Sequence, residues 1–154
     1  MNSGATLWRN PALVGLGILL ADQVTKWWAL EALAGGRVIE LVWTLQLRLV
    51  RNTGVAFSQG QGLGPVVAVA VIVVIVFLIR MGRKKDDSVV RTAVGVVVGG
   101  AVGNLVDRIV RSDAGPFDGA VVDFVDLGWW PVFNLADAAV VVGGAVIVWS
   151  GLVR

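Results

Sequence analysis

Apolar residues run along the chain in four long stretches, separated by polar segments with a different rhythm. The first, about residues 11–32, is interrupted by Asp22 and Lys26, with Glu31 at its end. The second, about 63–81, contains PVVAVAVIVVIVFLI without a charge. The third, about 92–110, carries Asp107 and Arg108 near its end, and the fourth, about 132–153, carries Asp137 near its start. Each can reach the roughly 20 residues that cross a hydrocarbon layer about 30 Å thick. Their valine content alone would suit buried strands. Lipid, however, admits only helices or closed barrels, and these runs are too long and too unalternating for barrel strands. The pattern predicts a membrane all-α fold of four transmembrane helices forming one domain over residues 1–154, with outer loops at 33–62 and 111–131.

Two features inside this frame have their own periods. Leu41, Trp43, Leu45, Leu47 and Leu49 alternate with Thr44, Gln46 and Arg48, which predicts a half-buried strand over Leu41–Val50, with Val38–Glu40 leading in. In the second outer loop, Val121–Asp126 reads as a short extended piece. Gly128-Trp129-Trp130-Pro131 after it reads as an interfacial turn or short helix. Gly95, Gly99 and Gly103 recur at four-residue spacing, a flat ridge for close helix packing.

Composition strengthens the membrane reading. The chain is 56% hydrophobic and 16% charged, with a mean hydropathy of +0.81, against about 45–50% and about 25% for soluble domains. The net charge of +2 could suggest nucleic acid. The basic residues, however, gather at Arg80, Arg83, Lys84, Lys85 and Arg91, which marks loop 82–91 as cytoplasmic and accounts for them without such a partner. Both termini then lie inside. Trp27, Trp28, Trp43, Trp129 and Trp130 fall on the outer side, Trp8 and Trp149 on the inner, an aromatic belt at each face. Arg9, the apolar run after it and Ala32-Leu33-Ala34 resemble a cleavable signal peptide. Asp22 and Lys26 argue against that, because charge is unusual within or just after such a core.

The sequence contains no cysteine and no histidine. That excludes a thiolate nucleophile, a Cys-ligated metal, a Ser-His-Asp triad and an HExxH zinc site. At about 1.5 Å per residue, Asp22 stands roughly 20 Å above Arg9, Asp107 roughly 24 Å above Arg91 and Asp137 roughly 25 Å above Arg154. Three helices therefore place acid in one layer, below the outer edge of the hydrocarbon. Intramembrane charge is costly and usually functional. Ion pairing explains part of it: Asp22 with Lys26 one turn away, and Asp107 with Arg108 or Arg51. It explains Asp123, Asp126 and Asp137 less well, since the nearby bases run out. Two carboxylates brought together share a proton, one serving as base and the other as acid. An aspartate pair activating water is the main hydrolytic device this composition allows, with a Ser-Lys dyad (Ser58 or Ser112 with Lys26) as the residual option. A small four-helix proton-coupled transporter would also use membrane carboxylates, but it calls for them near mid-depth rather than biased outward. A purely structural membrane subunit leaves the surplus acids without a use.

Five motifs stand in order along the chain: Asp22-Gln23-Val24-Thr25-Lys26; Asn52-Thr53-Gly54-Val55-Ala56-Phe57; Gly103-Asn104-Leu105-Val106-Asp107-Arg108; Val122-Asp123-Phe124; and Phe133-Asn134-Leu135-Ala136-Asp137. In this set and order the chain resembles the prolipoprotein signal peptidases, or signal peptidase II, the aspartic membrane proteases of bacterial lipoprotein maturation. The resemblance implies a four-helix membrane fold with a small extracytoplasmic β-cradle and a short interfacial helix, in the bacterial cytoplasmic membrane, with the active site near the outer leaflet. It implies Asp123 and Asp137 as the catalytic pair. It also implies Asn52, Gly54, Asn104, Arg108 and Asn134 as substrate-binding residues, with Asp22 and Lys26 beside them. It carries no metal and no cofactor. The implied partners are membrane lipid and prolipoproteins with a diacylglyceryl group on the cysteine before which cleavage occurs, and the implied enzyme is a monomer. Asp107 is expected to support the fold by local bonds, and Asp126 to face solvent or brace its loop. The segment between Arg108 and Asp123 is longer than the family's shortest members carry, and reads as a solvated loop rather than a flap.

Overall fold

The structure, a computed structural model, describes residues 3–53, 64–84, 87–112, 115 and 117–153, the side chains of residues 3–9 excepted. In chain order the elements are α1 (Ser3–Ala32), a 3-10 turn at Ala34–Gly36, β1 (Val38–Val42), β2 (Leu45–Asn52), α2 (Gly64–Arg83), α3 (Ser88–Val110), β3 (Val121–Asp126) and α4 (Leu135–Leu152).

α2, α3 and α4 are each long and apolar enough to cross a membrane, with mean hydropathies of 2.7, 1.7 and 1.9. α1 is longer, at 30 residues, but Asp22, Gln23 and Lys26 dilute its hydropathy. Its burial has a distinct pattern. Pro11, Gly15, Asp22, Lys26, Ala29 and Leu33 are buried, a helically spaced stripe of small and charged residues. Leu13, Leu16, Leu20, Val24 and Trp27 face outward. This inside-out amphipathicity suits a helix whose outer solvent is hydrocarbon and whose polar groups must be satisfied within the protein.

Helix ends follow local chemistry. Asp87 caps α3 by accepting from the Val89 amide at 2.8 Å, so that helix starts earlier than the apolar run that signals it. α4 starts later, at Leu135. Phe133 is held extended by hydrogen bonds in both directions with Val125, and Asn134 forms a capping box with Asp137.

α3 is the central helix, packed against α1, α2 and α4. The glycine ridge is its contact surface. A Cβ on Gly95 would stand 2.3 Å from the Pro11 carbonyl oxygen, one on Gly99 2.3 Å from that of Gly15, and one on Gly103 2.5 Å from an Asp22 carboxylate oxygen. Backbone therefore meets backbone, as association in lipid favours. On the adjacent face, a Cβ on Gly100 would lie 2.5 Å from the Ala136 carbonyl oxygen of α4.

The three strands form one antiparallel sheet in the order β1-β2-β3. The alternating segment expected as one strand over Leu41–Val50 is instead a hairpin. The chain reverses at Trp43-Thr44, with Val42 paired to Leu45. Trp43 takes the left-handed conformation (φ 53°) that two-residue hairpin turns require, a position where no glycine or asparagine signals the turn. Ala29, Leu33 and Phe124 seat the sheet on the end of α1, joined by Ile39, Leu47, Leu49 and Val125, and the Trp28 and Phe124 rings meet edge to face at 6.5 Å. Near Trp129 the chain bends through Gly128 (φ 79°) without forming a helix, so only the turn alternative of that expectation holds. The long α3–β3 segment is not simply a solvated loop. Gly119 donates to the Arg108 carbonyl at 3.0 Å, and the Phe117 carbonyl presses on Gly64 at the start of α2.

A buried ionic cluster ties these parts together. Lys26 is fully buried, and its ammonium donates to Asp22 Oδ2 at 2.9 Å, Asp107 Oδ2 at 3.0 Å and Asn104 Oδ1 at 2.8 Å. Asp22 Oδ1 accepts from the Ala136 amide of α4 at 3.0 Å, and Asp107 Oδ2 from the Val122 amide of β3 at 3.0 Å. Gln23 donates to Asp22, to Asp107 and to the Gly103 carbonyl. Asp107 therefore pairs with Lys26 and Arg111, not with Arg108 or Arg51, and its bonds reach α1 and β3 rather than staying local.

Two variants test this architecture. Gly99→Ala forces a methyl onto the Gly15 carbonyl and lowers stability by about 1–3 kcal/mol, read as a fall in unfolding temperature in detergent. Gly17→Ala, inside α1 where a Cβ meets nothing within 4 Å, does not lower it and raises it by up to about 1 kcal/mol through helix propensity. Lys26→Met leaves Asp22 without its cation and Asp107 with Arg111 alone, and costs about 3–5 kcal/mol in the same measurement.

Candidate active site

Asp123 sits in the middle of β3, whose residues are nearly all buried, with only 2% of its surface exposed. Its register pairs it with Val50 of β2. Asn52, two residues on from Val50, projects from the same face of the sheet, and its Nδ2 donates to Asp123 Oδ2 at 3.1 Å. A bulge between Leu47 and Val50 shifts the outer half of the pairing relative to the inner half.

Asp137 is the third residue of α4 and half-buried. Its Oδ2 accepts from the Asn134 backbone amide at 3.2 Å, and its own amide donates to Asn134 Oδ1 at 2.9 Å. Asn134 is fully buried, and its Nδ2 donates to Asp123 Oδ1 at 2.6 Å. One residue therefore holds both carboxylates, Asp123 by its side chain and Asp137 by its backbone.

Asn104 of α3 completes the polar wall. Lysine only donates, so the contact from Lys26 fixes the Asn104 Oδ1 toward α1. Nδ2 is then turned to Asp137 Oδ1, to which it donates at 2.8 Å. Asn134 Nδ2 also lies 3.1 Å from Asn104 Oδ1.

Electrostatics separate the acids on β3. Burial pushes the Asp123 carboxyl up to about 6; the bonds from Asn52 and Asn134 hold it back, and the Asp137 charge adds to the rise. Three residues on, and so on the other face of the strand, Asp126 accepts from Arg48 and Gln46 side chains and the Gly128 amide. Arg48 foremost holds it down to about 2. Asp126 braces the loop, one of the two roles the sequence allowed it.

Of the nine site residues expected from sequence, Asn52, Asn104, Asn134, Asp123 and Asp137 form one continuous hydrogen-bonded set. Asp22 and Lys26 lie behind it, with no exposed surface and with all three Lys26 protons taken up inside the protein. Arg108 is 7% exposed. It lies within electrostatic reach of Asp123, Asp107 and Asp118, and its buried Nη1 bonds to no described residue. Gly54 lies outside the described residues. Gln23 was given no role from sequence, yet it bridges Asp22 and Asp107. Its place one residue after an intramembrane acid was the available signal.

Next to Asp137 a groove of about 410 Å³ opens, lined by Leu127, Trp129, Trp130, Phe133, Val141 and Val142 among others. It brings an apolar surface up to the carboxylate.

Comparison with known proteins gives this arrangement a family. Residues 14–153 match the model of the family described as signal peptidase (SPase) II. The lipoprotein signal peptidase of Mycobacterium leprae (strain Br4923) is 42% identical over 132 residues, 85% of this chain and 65% of that protein. That of Mycolicibacterium smegmatis is 43% identical over 131 residues, 84% of this chain and 55% of that protein. The chain thus spans less than two thirds of the length of these two relatives. A bacterial membrane enzyme solved by the in meso method at 1.9 Å superposes with a TM-score of 0.79 at 27% identity, covering 92% of each chain. With the match extending over almost its whole length, the chain belongs to the signal peptidase II family.

Proposed function

We propose that the protein is an aspartic endopeptidase that removes signal peptides from diacylglyceryl-modified prolipoproteins, cutting just before the lipid-modified cysteine. The observation that carries this reading is the double hold of Asn134 on Asp123 and Asp137, with the Asp123 carboxyl pushed up to about 6. Asp123, buried and held by neutral donors, keeps its proton to higher pH than an ordinary carboxyl and can serve as the acid beside Asp137. The transporter alternative finds no support in the family match.

The chain is a single four-span membrane domain, with the α2–α3 loop and both termini cytoplasmic and the sheet at the outer leaflet. The inside-out burial of α1 supports its counting as a span. The exposed Trp27, Trp129 and Trp130 near the sheet and Trp149 at the far end support interfacial belts at both faces. The enzyme acts as a monomer on substrates that reach it from lipid.

In the reaction, the acyl chains of the substrate lie along the apolar groove beside Asp137, which holds the scissile bond at the depth of the two acids. A water between Asp123 and Asp137 loses a proton to whichever carboxylate is ionised and attacks the peptide carbonyl. The protonated partner donates to the developing oxyanion, and the proton then passes to the leaving amine. Asn52 and Arg108 supply donors to the extended peptide backbone, Arg108 through its unsatisfied Nη1. Asn104 and Asn134 aim the carboxylates, and Asp22 and Lys26 act behind them as positioning residues rather than as part of the groove lining.

Asp123→Asn and Asp137→Asn each lower cleavage of a purified, lipid-modified precursor on the order of 10³-fold, with helical content unchanged by circular dichroism. An unmodified precursor is left intact by the native enzyme. Substantial cleavage by both variants would refute the dyad. The pH profile gives a second check. A carboxyl held up to about 6 keeps its proton below that pH and loses it above. Because the reaction needs one proton on the pair, kcat/KM of the native enzyme falls as pH rises through about 6, approaching tenfold per unit.

A further inference from the structure

At the end of the bundle remote from the aspartates, α2 stands apart from α1. Among the described elements α2 packs against α3 alone. The gap is a cavity of about 340 Å³ bounded by all three helices. It runs from Pro11 to Leu19 along α1 and from Val94 to Val102 along α3, with Ile79 and Arg83 of α2 on the far side. Eight residues of helix give a length of about 12 Å, against about 15 Å for half the hydrocarbon layer. The lining is apolar except for Arg83, which stands at the mouth where α2 ends. Arg83 is exposed and makes no ion pair with any described acid. Arg80 and Lys84 flank it on the same exposed end.

We infer that this slot binds one phospholipid with an anionic headgroup, an acyl chain lying between α1 and α2 and the phosphate meeting Arg83. The chain replaces protein contacts that the gap between the helices leaves unmade. The guanidinium presents a fork of donors that matches phosphate oxygens. A zwitterionic lipid brings its own cation to that layer, and the anionic one does not. A transmembrane segment of signal-peptide type, with its positively charged leading end, would set like charge against Arg83. None of these residues belongs to the aspartate network, so the site is independent of the proposed reaction.

The test is native mass spectrometry of the full-length protein in detergent, with an equimolar mixture of phosphatidylglycerol and phosphatidylcholine of identical chains. The native protein retains phosphatidylglycerol about fivefold over phosphatidylcholine, the ratio expected for about 1 kcal/mol per basic group. Arg83→Gln removes the preference, whereas Val98→Trp, which fills the slot, removes retention of both lipids. Asp123→Asn changes neither. Arg83→Gln alters an exposed side chain and keeps the proposal testable should the tryptophan variant fail to fold. Equal retention of the two lipids, or a preference that survives Arg83→Gln and disappears only in Arg80→Gln or Lys84→Gln, would overturn it. So would displacement of the bound lipid by an apolar helical peptide with a lysine-rich N-terminus.

Discussion

The ammonium of Lys26 is sealed from water, and the fold depends on the three oxygens that surround it. An uncompensated charge in that position would cost more than a domain of this size can spare. The two aspartates that neutralise it come from α1 and α3, and the remaining oxygen of Asp22 and the shared one of Asp107 take backbone amides from α4 and β3. One cation thus fixes the relative positions of α1, α3 and α4 and of the strand that carries Asp123. The glycine ridge makes this possible, because only helices in backbone contact bring Asp22 and Gly103 together.

The same cluster governs chemistry at one remove. Asn104 has a carbonyl end and an amide end, and Lys26 accepts only the first as its neighbour. The amide is then turned to Asp137, so the donor pattern at the site is set by a charge that never reaches it. On the other side, β3 sorts its two acids by face. Asp126 meets Arg48 and stays ionised, while Asp123 meets neutral amides and burial and keeps a proton to much higher pH. A separation of three positions along one strand is enough to give two carboxylates of one sequence opposite protonation behaviour.

Much of this was legible in the chain. The long apolar runs mark the helices because lipid imposes length, and four-residue glycine spacing marks the α3 contact because helices impose period. Acids at one depth point to a candidate site because charge in hydrocarbon needs a use. What escaped has equally physical causes. The Trp43-Thr44 turn carries no turn-forming residue, so alternation continues across it and conceals the hairpin. The sequence places Asp22 and Lys26 beside the site without partners on other elements, because their spacing fixes a helix face but not which neighbour covers it. Asp107 shares its chain neighbourhood with Arg108 and Arg111, and only the rotation of α3 decides that Arg111 and the distant Lys26 take it. The five motifs outlined the site without its connections, which are long-range hydrogen bonds between elements that sequence separation does not rank.

The pairing of Phe133 with Val125 has a bearing on variation. It pinches the chain at the base of residues 127–132, so that strand and helix are locked to each other before the intervening loop begins. Length and composition of that loop, with its two tryptophans, are therefore uncoupled from the spacing of the acids on either side. The tip can be rebuilt while the two carboxylates on either side of it keep their spacing.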